Sequence, residues 1–439
     1  GNVWLGSYRT GLDFISSSPS LFSQVPYKQA VYGGHHRQTV WSVCPGNDGT
    51  LWIGGENEIA RHSPDGTIKI IPLINAELHP HSYINTLLLD DKHRLWIGTD
   101  EAGAMIYTPS TGKFTTLDNV PRDVRLIKEI NGYIYICTID GLYSSPDGIN
   151  VNEETIITSQ LEDRTIQGLV RDGEGKLWVG TFGKGVSVFD ASDSLICQLD
   201  VDKGFPSNAV NSMMADSKGR IWAATRNGVV VFEDISTPEA YKTINLSDGS
   251  YTPQSRAIEE DTLGNIWVST DKSIVRLNAE MKPIAAYTRY GDLRLNSFLD
   301  HSSAIGPDGT LYFGSLNGLF EFNPRLFDNL RQPPAPIISH FYVLESDGSV
   351  IDGEQELRIK NDKITLPHNR NSFAVTISTV DYSFNGEVEY SYYMEGIDDA
   401  WHNVGDDRRV VFRNLAPGKY VFRVRSRMFG TEWTDATTS

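Results

Sequence analysis

Cysteine, histidine and positive charge are all scarce in this chain. Of its 439 residues, 3 are cysteine and 10 are histidine. Cys44, Cys137 and Cys197 sit in the apolar runs "WSVC", "IYIC" and "LIC". An odd number without a spacing pattern gives neither a disulfide framework nor a zinc site, so all three read as small buried hydrophobes. The pairs His35/His36 and His79/His81 fit no standard ligand spacing. They read as surface loops, and no metal and no cofactor is expected. Acids outnumber bases 56 to 39, a formal net charge of −17. Phosphate binding needs basic clusters, so this balance argues against a nucleic-acid or anionic-membrane partner. No run reaches the ~18 apolar residues of a spanning helix, and no signal peptide opens the chain. G-x-S-x-G, H-E-x-x-H and phosphate-cradling glycine loops are missing, so no catalytic residue is assigned. The chain begins in mid-pattern at "GNVWLGS" and reads as a piece of something longer.

What is abundant is repetition. The stretch "GFPSNAVNSMMADSKGRIWAATRNGVVVFED" (Gly204–Asp234) recurs in variants anchored at Trp4, Trp52, Trp96, Tyr135, Trp178, Trp222, Trp267 and Tyr312. Successive anchors lie 48, 44, 39, 43, 44, 45 and 45 residues apart. A period of about 40–45 with several strands per unit is that of a β-propeller. "AVNSMMAD" alternates and reads as strand a, "DSKG" as a tight turn, "RIWAAT" as strand b and "VVVFED" as strand c. A variable segment such as "AYKTINL" supplies strand d. One such sheet cannot bury both faces; stacked radially, each covers the next. The Trp of strand b then belongs to the packed face between sheets.

The residues "GFPSN", Val210, the spacing D-x-x-G-x-(I/L)-W-x-x-T-x-x-G and Phe232 resemble the two-component regulator propeller repeat. "DGEGKLWVGTFGKGVSVFD" and "DDKHRLWIGTDEAGAMIY" share the pattern. The resemblance covers roughly residues 1–325 and implies an all-β fold. Units anchored at Trp52 through Tyr312 supply seven a–b–c sets, and "LFSQVPYKQ" offers the missing closing strand. The expectation is a seven-bladed propeller over 21–330, with 1–20 left as the remnant of a preceding blade. The alternative has eight blades, with "VWLGS" and "LDFIS" inside the ring.

A Pro-rich linker, "RQPPAP" (331–336), ends the repeats. Beyond it come the strand-like runs "ISHFYVLES", "KITLP", "SFAVTISTV", "VEYSYYME", "RRVVFRNL" and "YVFRVRSRM". Their alternation is that of a β-sandwich. Trp401 stands where an immunoglobulin-like sandwich buries a Trp, and "NLAPGKY", ending at Tyr420, resembles a tyrosine corner. Arg423, Arg425 and Arg427 share a face, read as a solvated one. The run "YSYYMEGIDDAWHNVG…RNLAPGKYVFRVRSRMFGTEW" resembles the Y_Y_Y domain. The expectation for 337–439 is an immunoglobulin/fibronectin-III-like sandwich lacking its last strand.

Propeller repeats followed by a Y_Y_Y domain resemble the sensor region of hybrid two-component systems. That resemblance implies a periplasmic ligand sensor attached to the inner membrane through segments outside this chain. It also implies an oligosaccharide ligand and a homodimer in the full-length sensor, with kinase and DNA-binding parts lying elsewhere. The alternatives are a propeller-fold glycoside hydrolase or lyase, and a protein-interaction scaffold. The turn "SPDGT" partly resembles the Asp-box of sialidases, yet its "PDG" sits where hairpin turns are expected. The a–b turns are short and repetitive, hence structural. The d–a and b–c loops share the other face and are diverse. Sugar recognition needs a concave site with convergent polar groups and an aromatic platform. Eight d–a loop residues are therefore the candidate ligand contacts: His36, Arg37, Tyr83, Arg125, Arg164, Asn208, Arg256 and Phe298. The b–c loops contribute Asn57, Asp100, Lys184, Arg226 and Asn317 to the same face.

Overall fold

Apolar alternation interrupted by Gly- and Asp-bearing turns dictates short antiparallel strands, and they dominate the computed structural model. The structure describes residues 3–7, 11–15, 20–27, 39–74, 81–246, 252–290, 293–330, 332–344, 363–368, 370–380, 388–404, 408–428, 431, 433–434 and 437–438. Two compact units result, one of residues 21–327 and one of residues 1–20 with 328–439.

Within 21–327, the described residues form seven four-stranded antiparallel sheets. Their first strands are Ser42–Pro45, Ile84–Leu89, Val124–Ile130, Ile166–Arg171, Val210–Ala215, Ser255–Glu260 and Phe298–Ile305, and they define sheets 1 to 7. Each first strand lies against that of the next sheet, and the seventh lies against the first, so the sheets close a propeller ring. Side chains stitch these inner strands together. Ser42 Oγ donates to Ile84 O (2.7 Å), Asn85 Nδ2 to Val124 O (3.0 Å), Asn211 Nδ2 to Ser255 O (2.8 Å) and Ser302 Oγ to Val40 O (3.2 Å). Ser23–Val25 completes sheet 7 by pairing with Gly318–Phe322, the place foreseen for "LFSQVPYKQ". In the other unit, Val3–Ser7 and Gly11–Ile15 pair with each other as a two-stranded hairpin.

The repeat motif is a packing device. Trp96, Trp178, Trp222 and Trp267 are fully buried. Trp178 packs with Val210 and Met213 of the next sheet, and Trp222 with Ile258 and Val268. Burying an indole removes about 150–250 Å² from water, an upper bound of about 4–6 kcal/mol. A buried indole N–H needs an acceptor, and an aspartate six residues earlier supplies it. Asp90, Asp172, Asp216 and Asp261 accept from these Trp Nε1 atoms at 2.9, 2.7, 2.8 and 2.8 Å. The other carboxylate oxygen caps the a–b turn, as Asp216 Oδ1 does for Lys218 N–H (3.0 Å) and Arg220 N–H (2.9 Å). Trp52 has Gly46 at that spacing; like Trp96, Trp222 and Trp267 it lies beneath a guanidinium, that of Arg61, 5.4 Å from its ring centre. The glycine of "LWVGT" also has a packing reason. A Cβ on Gly180 would stand 2.6 Å from Val210 Cγ1 of the next sheet.

Where the ring closes, aromatic rings converge. Phe22 lies 5.3 Å from Tyr287, 4.9 Å from Phe322 and 5.4 Å from Phe327, and Trp267 lies 5.1 Å from Phe327. Sheet 3, whose motif carries Tyr135 in place of Trp, is the most eroded. Its outer strand is only Asn152–Glu153, and the helix Thr155–Gln160 follows.

The described residues after 331 form a pair of sheets. Ile337–Val343, Phe373–Ser378 and Arg409–Phe412 form one; His402–Asn403, Val388–Glu395, Val421–Met428 and Thr437–Thr438 form the other. Phe422, Val424 and Met428 are buried on one face of the last long strand. Tyr420 OH donates to Ala416 O (2.9 Å), which is the bond of a tyrosine corner. In the run 363–367, Lys363 makes a β-bridge, and Arg370 N–H donates to Pro367 O (2.9 Å) just beyond it. One expectation is corrected: the arginine face is not simply solvated. Arg423 pairs with Glu395, Arg427 with Glu389 (2.6 Å), and Arg425 stacks on half-buried Trp401 (4.0 Å) and Trp433 (4.5 Å).

Candidate functional site

In sheets 2 to 6 the inner strand slips register at the same place. The slips fall between Ile84/Thr86, Val124/Leu126, Ile166/Gly168, Val210/Ser212 and Ser255/Ala257. A bulge unpairs one residue and re-aims its side chain. Here the bulged residues are Asn85, Arg125, Gln167, Asn211 and Arg256, polar in every case. Asn85 and Asn211 are used as stitches between sheets. Arg125, Gln167 and Arg256 are left for the mouth of the ring. In sheet 7 the slip is larger, between Phe298 and Ser303. Four residues, Leu299–Ser302, there face Gly314 alone, with His301 at φ 56°.

This insertion crosses the ring. His301 Nε2 donates to Gln167 Oε1 of sheet 4 (2.8 Å), so sheet 7 reaches the opposite wall. Burial, reinforced by the Lys128 and Arg125 charges, drops the imidazole to about 3, so it stays neutral. Beside it, Arg256 Nη1 pairs with Asp300 (3.0 Å) and Arg125 Nη2 with Asp123 (2.7 Å). Burial raises the Asp300 carboxyl above the usual range, against the pull of the Arg256, Arg226 and Arg125 guanidiniums. Arg125 Nε and Arg256 Nε are buried and lack a hydrogen-bond partner. Farther along the same strands, Glu259 accepts from Ser303 Oγ (2.8 Å). Burial raises the Glu259 carboxyl and lowers the Lys128 ammonium, two groups whose charges attract each other.

The rim is set by a second periodic position, the residue after strand b. Its backbone N–H donates to a d–a loop carbonyl: Asp100 to Tyr83 (3.2 Å), Ile139 to Asp123 (3.3 Å), Phe182 to Thr165 (3.0 Å), Arg226 to Ala209 (3.3 Å), Leu316 to Ser297 (3.0 Å). Equivalent points around the rim thus carry unrelated chemistry. Phe182 is 44% exposed, with the Arg226 guanidinium 4.7 Å over its ring. Between sheets 2 and 3 lies a cavity of about 510 Å³ lined by Asp100, Glu101, Asp123 and Asp140 among others. Burial raises both Asp100 and Asp123 above the usual carboxylate range. Among the described residues no cluster of His, Cys, Asp and Glu could hold a metal ion. The thiols are free, and burial raises Cys137 to about 12 and Cys44 and Cys197 to about 11, so they stay protonated at neutral pH.

The structure treats the sequence candidates unequally. His36 and Arg37 lie outside the described residues. Arg125 and Arg256 are at the mouth, and Arg164 is exposed on its d–a loop. Tyr83 stacks on Trp41, ring centres 4.3 Å apart, and its N–H donates to Asp100 (2.7 Å). Asn208 is a loop brace, its Oδ1 accepting from Val201 N–H (2.9 Å). Phe298 is corrected outright: it is 2% exposed, packed against Phe313 and Phe320, and offers no platform. Sequence reasoning missed Phe182, Gln167, Asp300 and His301. Phe182 is legible in hindsight as the residue following W-x-x-T. The sheet 7 insertion has no repeat counterpart to flag it. The opposite face is as uniform as its turns suggested, braced by bonds such as Asp48 to Thr50 N–H (2.9 Å) and Asp308 to Thr310 N–H (3.0 Å).

Comparisons with known proteins agree with this architecture. The two component regulator propeller family matches residues 79–101, 160–183 and 204–227, and the Y_Y_Y domain matches 381–439. The whole chain superposes, at TM-score 0.80 and 30% identity, on 59% of a crystal structure of the extracellular domain of a hybrid two component system from B. thetaiotaomicron. "Histidine kinase P4" of Formosa agariphila is 20% identical over 379 residues, 72% of this chain and 27% of that protein. A virginiamycin B lyase of Staphylococcus aureus shares the fold alone, at TM-score 0.53 and 14% identity over 65% of this chain and 95% of the lyase. The chain thus spans 59% of the first of these proteins and 27% of the second. Among the described residues no helix is long and apolar enough to cross a membrane.

Proposed function

From a chain built of two-component regulator propeller repeats and a Y_Y_Y domain, we propose the extracytoplasmic ligand-sensing region of a hybrid two-component histidine kinase. Its ligand is an oligosaccharide released by polysaccharide breakdown, and its place is the periplasmic side of the inner membrane. In the full-length protein it works as a homodimer and passes the signal to kinase and transcription-control parts outside this chain. The observation that supports ligand sensing most is the contrast between the two faces of the ring. One face is a set of self-satisfied turns. The other gathers guanidinium, carboxylate, amide and aromatic groups in one concave mouth, which is the composition of a small-ligand site.

The test is calorimetry and thermal shift with a panel of defined oligosaccharides. A stabilising shift that grows with ligand as RT ln(1 + [L]/Kd), without chain shortening, supports a sensor. Shortened or unsaturated products would make the chain an enzyme instead. Light scattering on the sensor with its flanking segments, with and without ligand, checks the dimer; a monomer under both conditions refutes it.

A further inference from the structure

Three guanidiniums from three different sheets act on one carboxylate at the mouth. Arg125 is a bulged residue of sheet 3, Arg256 of sheet 6, and Arg226 follows strand b of sheet 5. All three act on the Asp300 carboxyl, and Arg256 is paired to it. That carboxylate does not exhaust them. Arg125 Nε and Arg256 Nε donate to nothing although buried, and a buried donor left unmade is costly. Arg226 is exposed, and its guanidinium lies over the face of Phe182. The side chains of Arg125, Arg256 and Asp300 keep 33%, 26% and 34% of their surface open, so a ligand entering the mouth reaches them. The protein as a whole is acidic, yet at Asp300 three guanidiniums act on one carboxyl, while Asp123 has Arg125 on one side and the acids Asp100 and Asp140 on the other.

We propose that this cluster is a subsite for an oxyanion carried on a sugar, a uronate carboxylate or a sulfate ester, with the Phe182–Arg226 pair as the platform for the ring. This rests on the sensor reading above and names its ligand class. Guanidinium forks match planar and tetrahedral oxyanions through charge-assisted, often bidentate bonds. A sugar ring placed on Phe182 brings its charged substituent toward Arg226 and Arg256. Asp300 holds Arg256 in place while the site is empty and competes with the arriving anion. The acidic cavity by Asp100 and Asp140 repels that anion and fixes the direction in which an asymmetric ligand lies.

The experiment is calorimetry on this chain at two salt concentrations with three probes. They are an oligogalacturonate, its methyl-esterified neutral counterpart and a sulfated oligosaccharide of similar length. Inorganic sulfate serves as competitor. The charged probes should bind more tightly than the neutral one and weaken with salt. Arg256→Gln and the surface variant Arg226→Gln should each lose on the order of 10-fold. Asp300→Asn should gain affinity for the anion, an effect that a merely structural role would not produce. Whichever charged probe binds identifies carboxylate or sulfate as the source. Equal binding of the neutral probe, unmoved by the arginine variants, overturns the subsite and leaves a glycan sensor standing. Sulfate protection that depends on Arg256 and Arg226, with every sugar silent, keeps the anion site and overturns the glycan reading. Silence of all probes and of sulfate overturns both.

Discussion

Asp216 is the most informative single residue for the fold, because four bonds end on one carboxylate. Its side chain is fully buried. Oδ1 accepts the N–H groups of Lys218 and Arg220; Oδ2 accepts Trp222 Nε1 (2.8 Å) and Arg220 Nε (2.5 Å). Asp216→Asn keeps the volume but replaces one acceptor with a donor. The amide oxygen still caps the turn, and the NH2 group then faces an indole N–H and a buried guanidinium. Leaving a buried ionic partner uncompensated costs about 3–5 kcal/mol. For a unit this large, about 2 °C per kcal/mol gives a midpoint lowered by about 6–10 °C in calorimetry or circular dichroism. Asp65→Asn is the control: Asp65 also caps a turn, at Thr67 N–H (2.9 Å), but on the surface and without a Trp, so its midpoint should not move. The pH dependence adds a sign check. Burial pushes the Asp216 carboxyl up, but the Trp222 and Arg220 bonds outweigh it and hold the group below its ordinary value. A depressed acid stabilises above its unfolded pKa of about 4 and loses that contribution as pH falls through the folded pKa. The gap between wild type and Asp216→Asn should therefore close below about pH 4. An Asp216→Asn midpoint within about 2 °C of wild type, or a gap that widens in acid, would refute the clamp.

Other expectations follow from the same geometry. Gly180→Ala should destabilise by about 1–3 kcal/mol, measured by urea unfolding, because its Cβ would press Val210 of the next sheet; Ala224 occupies the same place in sheet 5 without harm. His301 has its pKa depressed to about 3, so the unfolded chain binds the extra proton between about 6.5 and 3 and stability falls on acidification across that window. His301→Gln should flatten that part of the stability–pH curve, and an unchanged slope would show that the imidazole is solvated. Phe298→Ala should lower stability by about 3–5 kcal/mol yet leave ligand affinity intact, which separates core from site by melting and calorimetry on one variant.

The repeat was legible because it is enforced twice over. Trp222 must be buried between sheets and its N–H must find Asp216, so both residues recur at fixed spacing wherever the sheet is regular. The closing strand at Ser23–Val25 was legible for a different reason: sheet 7 lacked a fourth strand and a short apolar run preceded sheet 1. The site was legible only as a face. Arg125 and Arg256 stand at bulges, and a bulge moves a side chain by a register slip that alternation alone does not encode. Phe298 looked like a platform because an aromatic in a loop and an aromatic at the start of a strand have the same letter. Three-dimensional neighbours, Phe313 and Phe320, decide between them. The His301–Gln167 bond joins residues 134 positions apart, and no local pattern reports a contact of that range.

The seam in sheet 7 gives the propeller a mechanical weak direction. Ser23 pairs with Glu321 and Val25 with Leu319, so the chain enters and leaves the ring at the same end of the paired strands. Tension between the two ends would peel the seam one hydrogen bond at a time instead of shearing all its bonds together. Phe22 and Phe327 sit at that end, rivetted into Trp267, Tyr287 and Phe322. Peeling must extract those rings before the first backbone bond opens. The aromatic cluster therefore converts a zipper into a latch, one that holds to a threshold of force and then releases the ring as a whole.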